Sequence, residues 1–331
     1  MSKIVFYCND SLSNIQKMEY YAVDIKALED LGHEVVICTK YREIPKRFDS
    51  IYIYWWTYAL YPILLAKLRG KKAYVSGVFN LRFPEWQEGE DYFKRPLWQR
   101  LLMKWSMKLA DGNLLTSRSD FVGCVELFRL SNCHYTPCCI ADEYFEIDNN
   151  KESNTLMNIA WSSLVNLKRK GVFDLVSALQ LVKKSDLKFT LKLVGARGDG
   201  ADKLMRLIRD KGLEDSVECV GEVSKEYKLK LLEESSIYVQ PSNYEGFGLA
   251  TAEAMAAGLQ VIACDVGDVR NTLGDHAIYV NNGNIEEIAK EISKLLIKGY
   301  DMEKMSVAKE FLRGKYSYQR KIDDFKLIIG Q

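Results

Sequence analysis

Short apolar runs alternate along the chain with longer stretches in which apolar residues recur every three or four positions. The short runs predict buried strands, and the longer stretches between them predict amphipathic helices. In the first half of the chain, the predicted strands are residues 3–8, 34–39, 50–54, 72–77 and 113–117. Because helices separate the strands, we expect a parallel sheet with helices on its faces.

The same alternation returns in the second half of the chain, where the predicted strands are residues 156–162, 189–195, 217–220, 237–240 and 260–264. Residues 148–154 form the most polar, loop-like run and predict a linker between two Rossmann-like domains, at residues 1–148 and 154–315. The expected fold class is therefore α/β, with two doubly wound parallel sheets facing a cleft. The amphipathic stretch 316–331 predicts a last helix.

A glycine turn and an alanine-rich helix follow the strand predicted at 237–240. Gly246 and Gly248 lack Cβ atoms, so an anion could approach the backbone N–H groups at the start of this helix closely. Glu245 lies in the turn and Glu253 in the helix, at a spacing that could hold the hydroxyls at both ends of a sugar–diphosphate–ribose. An ordinary strand–turn–helix with surface glutamates is the alternative interpretation.

Composition argues against several classes of protein. The 331 residues carry a net charge of only +1, which gives no support to nucleic-acid binding. No apolar run is long enough to cross a bilayer, and the first residues lack the layout of a signal peptide, so we expect a cytoplasmic protein. The loop at 9–14 lacks the glycines of a dinucleotide-binding turn. Eight cysteines without a C-x-x-C pair and three scattered histidines predict no metal site.

Two further stretches have two interpretations each. Trp55 and Trp56 follow the third strand, at the edge of the sheet where ligands bind, so they could stack on an acceptor sugar or be core aromatics under a loop. The segment 94–108 combines basic residues with Trp98 and Trp105. It could contact an anionic membrane and place the protein at the inner membrane face, or it could pack on its own sheet with its lysines reaching solvent.

Several motifs resemble those of one enzyme family. Seven residues separate Glu245 from Glu253, directly after a strand, and Asp265 and Gly267 follow the next strand. Individually weaker matches lie in the same order along the chain, at residues 32–35, 135–145, 170–171 and 316–318. On these motifs the chain resembles the GT-B retaining glycosyltransferases and is most similar to glycosyltransferase family 4.

The resemblance implies that the second domain binds a nucleotide-diphosphate sugar, of UDP or GDP type, as the substrate and that there is no further cofactor. The first domain would bind a glycan or lipid-linked glycan acceptor, and the helix at 316–331 would pack back on it. Glu245 and Lys170 are then the expected catalytic residues, Glu253 would bind the ribose, and Val223 would meet the nucleobase. The expected donor-binding residues are Arg169, Lys170, Val223, Glu245, Gly246, Phe247, Gly248, Leu249 and Glu253.

The sequence contains no Asp-x-Asp, the usual ligand pair for Mg²⁺ or Mn²⁺, so we expect a metal-independent enzyme. The basic run 168–170 would neutralise the leaving diphosphate, which could then take the acceptor's proton on the same face and give retention without a protein nucleophile. The chain departs from the family pattern where Ser162-Ser163-Leu164 replaces Gly-Arg-Leu. Two alternatives stay open: a sugar-nucleotide epimerase or hydrolase of the same fold, and a catalytically inactive binding subunit. By fold-level analogy, we expect a role in surface polysaccharide or glycolipid assembly.

Overall fold

The computed structural model describes residues 2–82, 91–148, 151 and 154–330. The chain divides into two compact units. The first unit comprises Met1–Cys139 together with Tyr316–Gln331, and the second comprises Ile140–Lys315. The end of the chain therefore packs with the first unit, although the whole second unit lies between them in the sequence.

The first unit is built on one parallel sheet. Its strands are β1 (Lys3–Cys8), β2 (Glu34–Cys38), β3 (Ser50–Tyr54), β4 (Lys72–Gly77), β5 (Gly112–Leu115) and β6 (Cys133–Tyr135). They lie in the order β2-β1-β3-β4-β5-β6, and neighbours are parallel. The helices between the strands are α1 (Leu12–Lys17), α2 (Glu19–Asp30), α3 (Leu60–Leu68), α4 (Leu97–Leu109) and α5 (Arg118–Phe128).

Both faces of this sheet are covered. Successive residues of β1 alternate between the faces, so Val5 and Tyr7 join the core formed with α3, α4 and α5, whereas Phe6 and Cys8 join the core formed with α2. This arrangement follows from the strand order, because the chain leaves β1 in one direction for β2 and in the other for β3, β4 and β5.

The second unit has the same architecture. Its strands are β7 (Thr155–Ile159), β8 (Thr190–Val194), β9 (Val217–Gly221), β10 (Ile237–Gln240), β11 (Gln260–Cys264) and β12 (Ile278–Val280), in the order β12-β11-β10-β7-β8-β9. Its helices are α6 (Asp142–Phe145), α7 (Leu164–Arg169), α8 (Val172–Lys184), α9 (Ala201–Asp210), α10 (Lys225–Glu233), α11 (Leu249–Ala256), α12 (Val269–Leu273), α13 (Ile285–Lys298) and α14 (Met302–Tyr316). The strand order changes direction between β7 and β10, the place where open α/β sheets bind ligands.

The last helix, α15 (Tyr318–Ile328), packs on the α2 side of the first sheet, as predicted for the tail. Phe325 is fully buried against Tyr52. Beside it, Lys321 Nζ lies 2.8 Å from Asp24 Oδ1, and both residues are at most 4% exposed. The hydroxyls of Tyr52 and Tyr54 each donate to Asp24 Oδ2 at 2.7 Å. A buried ion pair with two tyrosine partners therefore fixes the tail helix to the first unit.

The structure contains elements that the hydrophobic pattern does not predict. The strands β6 and β12 have only three residues each, too few for a recognisable run. Helix α3 is apolar on nearly all sides and contains Pro62, so it lacks an amphipathic period. The stretch between β1 and β2, which predicts one helix, forms α1 and α2 because Met18 between them is extended, with ψ of 116°.

Within the predicted linker, the structure describes Asp148, Lys151 and Asn154. Lys151 is only 3% exposed, and its Nζ donates to the carbonyl oxygens of Leu232 and Glu233 at the end of α10. A polar residue expected in an exposed loop is thus anchored to the second unit, because its ammonium group donates to two carbonyl oxygens at the end of a helix.

Candidate functional site

The loop between β10 and α11 lies at the carboxyl edge of the second sheet, where the strand order changes direction. Gly248 precedes α11 with φ of 78°, a conformation that glycine adopts without strain. Among the described residues, no acceptor lies within hydrogen-bonding geometry of the backbone N–H groups of Gly246, Gly248, Leu249 and Ala250. The loop therefore presents a set of donors at the positive end of a helix dipole.

Neutral side chains hold Glu245 within this loop. Its Oε1 accepts hydrogen bonds from Gln240 Nε2 at 2.9 Å and from Ser242 Oγ at 3.1 Å. The hydroxyl of Tyr238 donates to Gln240 Oε1 at 2.6 Å, which fixes the orientation of that amide. Glu245, which is 9% exposed, is thus positioned by a chain of hydrogen bonds that runs back into β10.

Arg169 and Lys170 reach Glu245 from the end of α7. Arg169 Nη1 lies 3.2 Å from Glu245 Oε1, and Lys170 Nζ lies 3.9 Å from the same atom. Gly171 permits this approach, since it has φ of 64° and a Cβ atom there would lie 2.0 Å from the carbonyl oxygen of Pro241. The junction of α7 and α8 therefore packs directly on the end of β10.

Asn243 ties the loop to the same helix end. Its N–H donates to the carbonyl of Arg169, and its side-chain amide donates to the carbonyl of Lys168, both at 2.7 Å. The side chain of Lys168 is exposed, whereas Lys170 Nζ donates to the carbonyl of Ile159 at 2.9 Å. Of the basic run 168–170, two members therefore join the cluster around Glu245, and Lys168 does not.

Burial and charge act in opposite directions within this cluster. Burial alone would raise the pKa of Glu245, but Lys170 and Arg169 outweigh it, and the pKa lies below its ordinary value. Burial lowers the pKa of Lys170, and the neighbouring Glu245 partly offsets that effect. When all three groups are ionised, their charges sum to +1. The basic residues that the sequence assigns to a diphosphate thus contact the carboxylate that it assigns to the sugar.

Glu253 lies in α11 and is 5% exposed. Lys228 of α10 places its Nζ 3.4 Å from Glu253 Oε2, and the same ammonium group lies 4.9 Å from the ring centroid of Tyr144. Sequence reasoning missed Lys228 because α10 carries three lysines with no distinguishing motif, and only the packing of α10 shows which of them lies beside Glu253. The Glu253–Lys228 pair joins α10 to α11.

A cavity of about 310 Å³ opens at the carboxyl ends of β7, β8 and β9. Apolar side chains such as Leu167 and Met205 dominate its lining, and Arg197 adds one guanidinium group. The backbone at Gly221 forms part of its wall, and Val223 follows two residues later in a half-buried position. The residue predicted to meet a nucleobase therefore lies close in sequence to a cavity wall.

The two candidate acceptor residues occupy different environments in the first unit. Trp56 is 1% exposed, and its Nε1 donates to Asn113 Oδ1 at 2.8 Å, so it belongs to the core and is enclosed away from any sugar. Trp55 is half-buried, with Nε1 donating to the hydroxyl of Tyr21 at 2.9 Å and an unusual φ of 73°. Only Trp55 therefore keeps accessible surface at this edge.

Helix α4, which contains most of the basic segment 94–108, buries one side on the first sheet. That side consists of Met103, Ser106 and Met107. Leu97, Leu101 and Trp105, which the sequence pattern places on one stripe, are exposed. In the described ranges, no helix combines the length and the apolar character needed to cross a membrane.

Two parallel six-stranded sheets with flanking helices define the GT-B class of fold. Residues 145–310, which include Glu245, Glu253 and the basic residues beside them, match the family model described as glycosyl transferases group 1. The chain belongs to this family.

Curated relatives carry related descriptions. The chain is 27% identical over 169 residues to a GDP-mannose:cellobiosyl-diphosphopolyprenol alpha-mannosyltransferase from Xanthomonas oryzae pv. oryzae, a match covering 49% of this chain and 44% of that protein. It is 23% identical over 308 residues to O-antigen chain mannosyltransferase RfbU from Salmonella typhimurium, covering 86% of this chain and 75% of the relative. The match thus spans less than half the length of the Xanthomonas relative.

A solved structure shows the same fold over the whole chain. Alr3699/HepE from Anabaena, described in complex with UDP, superposes with a TM-score of 0.76 at 14% identity and covers 99% of both chains. At this identity the likeness establishes the fold alone.

Proposed function

We propose that this protein is a metal-independent retaining glycosyltransferase of family 4, which transfers a hexose from a nucleotide-diphosphate donor to a hydroxyl group. The observation that carries the proposal is the juxtaposition, at the sheet's switch point, of two buried glutamates, the open N–H groups before α11, and the cations Arg169 and Lys170. Carboxylates accept hydrogen bonds from sugar and ribose hydroxyls, and N–H groups and cations bind the negative charge of a diphosphate.

In the proposed reaction, the bond between the anomeric carbon and the diphosphate oxygen breaks as the acceptor oxygen bonds to that carbon on the same face. The acceptor's proton passes to the departing diphosphate. Negative charge grows on the diphosphate during this step, and Lys170, Arg169 and the N–H groups from Gly246 to Leu249 would stabilise it. Glu245, fixed by Gln240 and Ser242, would orient the donor sugar.

Glu253 would accept hydrogen bonds from the ribose, with Lys228 holding its carboxylate in place. The cavity at the ends of β7 to β9 would accommodate the nucleobase, because a mostly apolar lining with one guanidinium suits a flat heterocycle. The residue 223 backbone would contact the base at the rim.

Mannosyltransfer from GDP-mannose to a glycan or lipid-linked glycan is the substrate pair to test first. The support is the description of the Xanthomonas relative as acting with GDP-mannose on a diphosphopolyprenol, and that of the Salmonella relative as an O-antigen mannosyltransferase. UDP-sugars are the competing donors, since HepE was described with UDP. The cytoplasmic placement stays a prediction.

The test measures donor binding and transfer separately. Titration calorimetry with GDP, UDP and their sugars, in excess EDTA, should show binding of one base class. Replacing Glu253→Gln should weaken that binding on the order of 10- to 100-fold, because hydrogen bonds to a charged group contribute about 1.5–3 kcal/mol. Glu286→Gln, at an exposed position in the first turn of α13, is the matched control and should bind as the parent does.

Each alternative has its own outcome. Rapid loss of nucleotide sugar without a transfer product would indicate the epimerase or hydrolase, and absence of nucleotide binding would indicate the inactive subunit. An NMR spectrum in which the product's anomeric configuration is inverted, or activity that EDTA abolishes, would contradict the proposed chemistry.

A further inference from the structure

Helices α3 and α4 of the first unit expose two apolar stripes side by side. On α4, Leu97, Trp98, Leu101 and Trp105 are between 46% and 67% exposed. On α3, Tyr61, Leu64 and Leu68 are between 43% and 86% exposed. These seven residues are called the α3–α4 face below. Single exposed apolar residues are ordinary on a protein surface, but seven on two helices form a patch of the kind that marks an interaction site.

Both stripes point away from the same side of the sheet. Ile63 and Ala66 of α3 and Met103 and Met107 of α4 all join one core on the sheet. The exposed residues of α3 recur at intervals of three and four, and Leu97, Leu101 and Trp105 recur at four, so each stripe lies opposite its helix's buried side. The two helices pack against each other, so the two stripes lie on neighbouring helices.

Charge distinguishes the two segments that contain this face from the rest of the chain. Residues 50–82 and 92–110 contain ten lysines and arginines and no aspartate or glutamate, in a protein whose net charge is only +1. Three of the ten are paired with flanking aspartates: Lys67 with Asp111, Lys71 with Asp49, and Lys94 with Asp91. Glutamates at 85, 88 and 90 belong to a segment outside the described residues and to neither stretch.

We propose that the α3–α4 face docks on the headgroup region of a bilayer that contains anionic phospholipids. Tryptophan and tyrosine rings suit the boundary between headgroups and acyl chains, leucines enter the apolar layer, and the surrounding cations bind lipid phosphates. A second copy of the chain is a poor occupant, because two such faces would bring like charges together. The bilayer meets both the apolar and the basic character of the face.

This inference extends the proposed function by naming where its acceptor would be met, but its test needs neither donor nor acceptor. Failure of docking would leave the donor-binding results intact, and failure of catalysis would leave the docking results intact. The two proposals are therefore tested independently of each other.

The experiment is co-sedimentation with two kinds of vesicle. The first kind consists of phosphatidylcholine alone, and the second kind is anionic, with two parts phosphatidylcholine to one part phosphatidylglycerol. We expect binding to the second kind only, weakening as salt is raised. Lys104→Gln/Lys108→Gln should weaken binding about 30-fold, since each cation near an anionic surface contributes roughly five-fold. Lys290→Gln/Lys294→Gln is the matched control, because these lysines have the same spacing on exposed positions of α13 in the second unit.

A second measurement tests whether the aromatic residues enter the bilayer. Brominated acyl chains should quench tryptophan fluorescence, and Trp98→Ser should reduce both the quenching and the binding. Trp161→Ser is the control, because Trp161 is 56% exposed in the second unit, close to the 60% of Trp98. The proposal would be overturned if the protein bound both kinds of vesicle equally or bound neither. It would also be overturned if the Lys104→Gln/Lys108→Gln variant bound the vesicles as tightly as the parent protein does. A dimer that Trp98→Ser dissociates would assign the face to a second copy.

Discussion

The buried pair of Lys321 and Asp24 makes the attachment of the tail helix measurable. Lys321→Met keeps a flexible side chain of similar length but leaves the Asp24 carboxylate without its cation. That carboxylate is 2% exposed and retains two hydrogen bonds, from Tyr52 and Tyr54, both at 2.7 Å. The variant therefore tests the ion pair with the remaining partners of the carboxylate in place.

Breaking a buried ion pair from one side costs about 3–5 kcal/mol, because a charge stays buried without compensation. The two tyrosine hydroxyls still stabilise the carboxylate, so we expect a loss near 3 kcal/mol. Asp24→Asn in addition removes the stranded charge, and the double variant should recover more than half of the loss. Burial alone would lower the pKa of Lys321, but Asp24 reverses this and raises it above 10.5. The pair's contribution is therefore present below that pH and is lost as the pH rises beyond it.

Urea unfolding followed by circular dichroism measures these free energies at neutral pH and again near pH 9, where the loss should be unchanged. Lys326→Met, on an exposed position of the same helix, controls for helix propensity and should change stability by less than about 0.5 kcal/mol. The inference that an uncompensated charge causes the loss is wrong if Lys321→Met lowers the free energy of unfolding by less than about 1 kcal/mol. It is also wrong if adding Asp24→Asn lowers the free energy of unfolding further.

Two further predictions concern the second unit. Gly171→Ala should lower the free energy of unfolding in urea by more than about 2 kcal/mol and weaken nucleotide binding, because its Cβ would lie 2.0 Å from the Pro241 carbonyl oxygen. Gly212→Ala is the control, since Gly212 has a similar φ of 63° with open space around it, and it should lower the free energy of unfolding by only about 1 kcal/mol. Equal losses in the two variants would contradict this prediction. Burial lowers the pKa of Lys151 from 10.5 to about 8. As the pH rises, the folded chain therefore loses the Lys151 proton before the unfolded chain does. The free energy of unfolding should consequently rise between pH 8 and 10.5, by up to about 3 kcal/mol relative to Lys151→Met. Parallel pH profiles of the two proteins would refute this prediction.

Much of the fold was predictable because most of its strands are apolar runs of four to six residues. The runs at β1, β3, β4 and β10 match their predicted bounds residue for residue. Shorter strands were not predictable, since three residues carry too little pattern. For α4, periodicity indicated one apolar stripe through Leu97, Leu101 and Trp105. The structure instead buries Met103 and Met107 and leaves Leu101 exposed, because tertiary packing decides which side of the helix meets the sheet.

The sequence singled out some residues of the candidate site but neither all of them nor their arrangement. The spacing of Glu245 and Glu253 identified both glutamates, whereas their partners depend on contacts between distant segments. Arg169 meets the Glu245 loop across 75 residues of sequence, and Lys228 meets Glu253 across 25. Such contacts follow from how the β7 and β10 segments lie beside each other, which no local pattern encodes.

The contact of Arg169 and Lys170 with Glu245 means that these two basic residues carry an internal counter-ion. Their field at a distance is that of one positive charge, not two, so the loop attracts phosphate-bearing molecules in general only weakly. A ligand gains the full strength of both cations only if it also gives the Glu245 carboxylate a new partner, such as a pair of hydroxyl groups. The arrangement therefore favours a molecule that joins an anion to a polyol over a simple phosphate of the same charge.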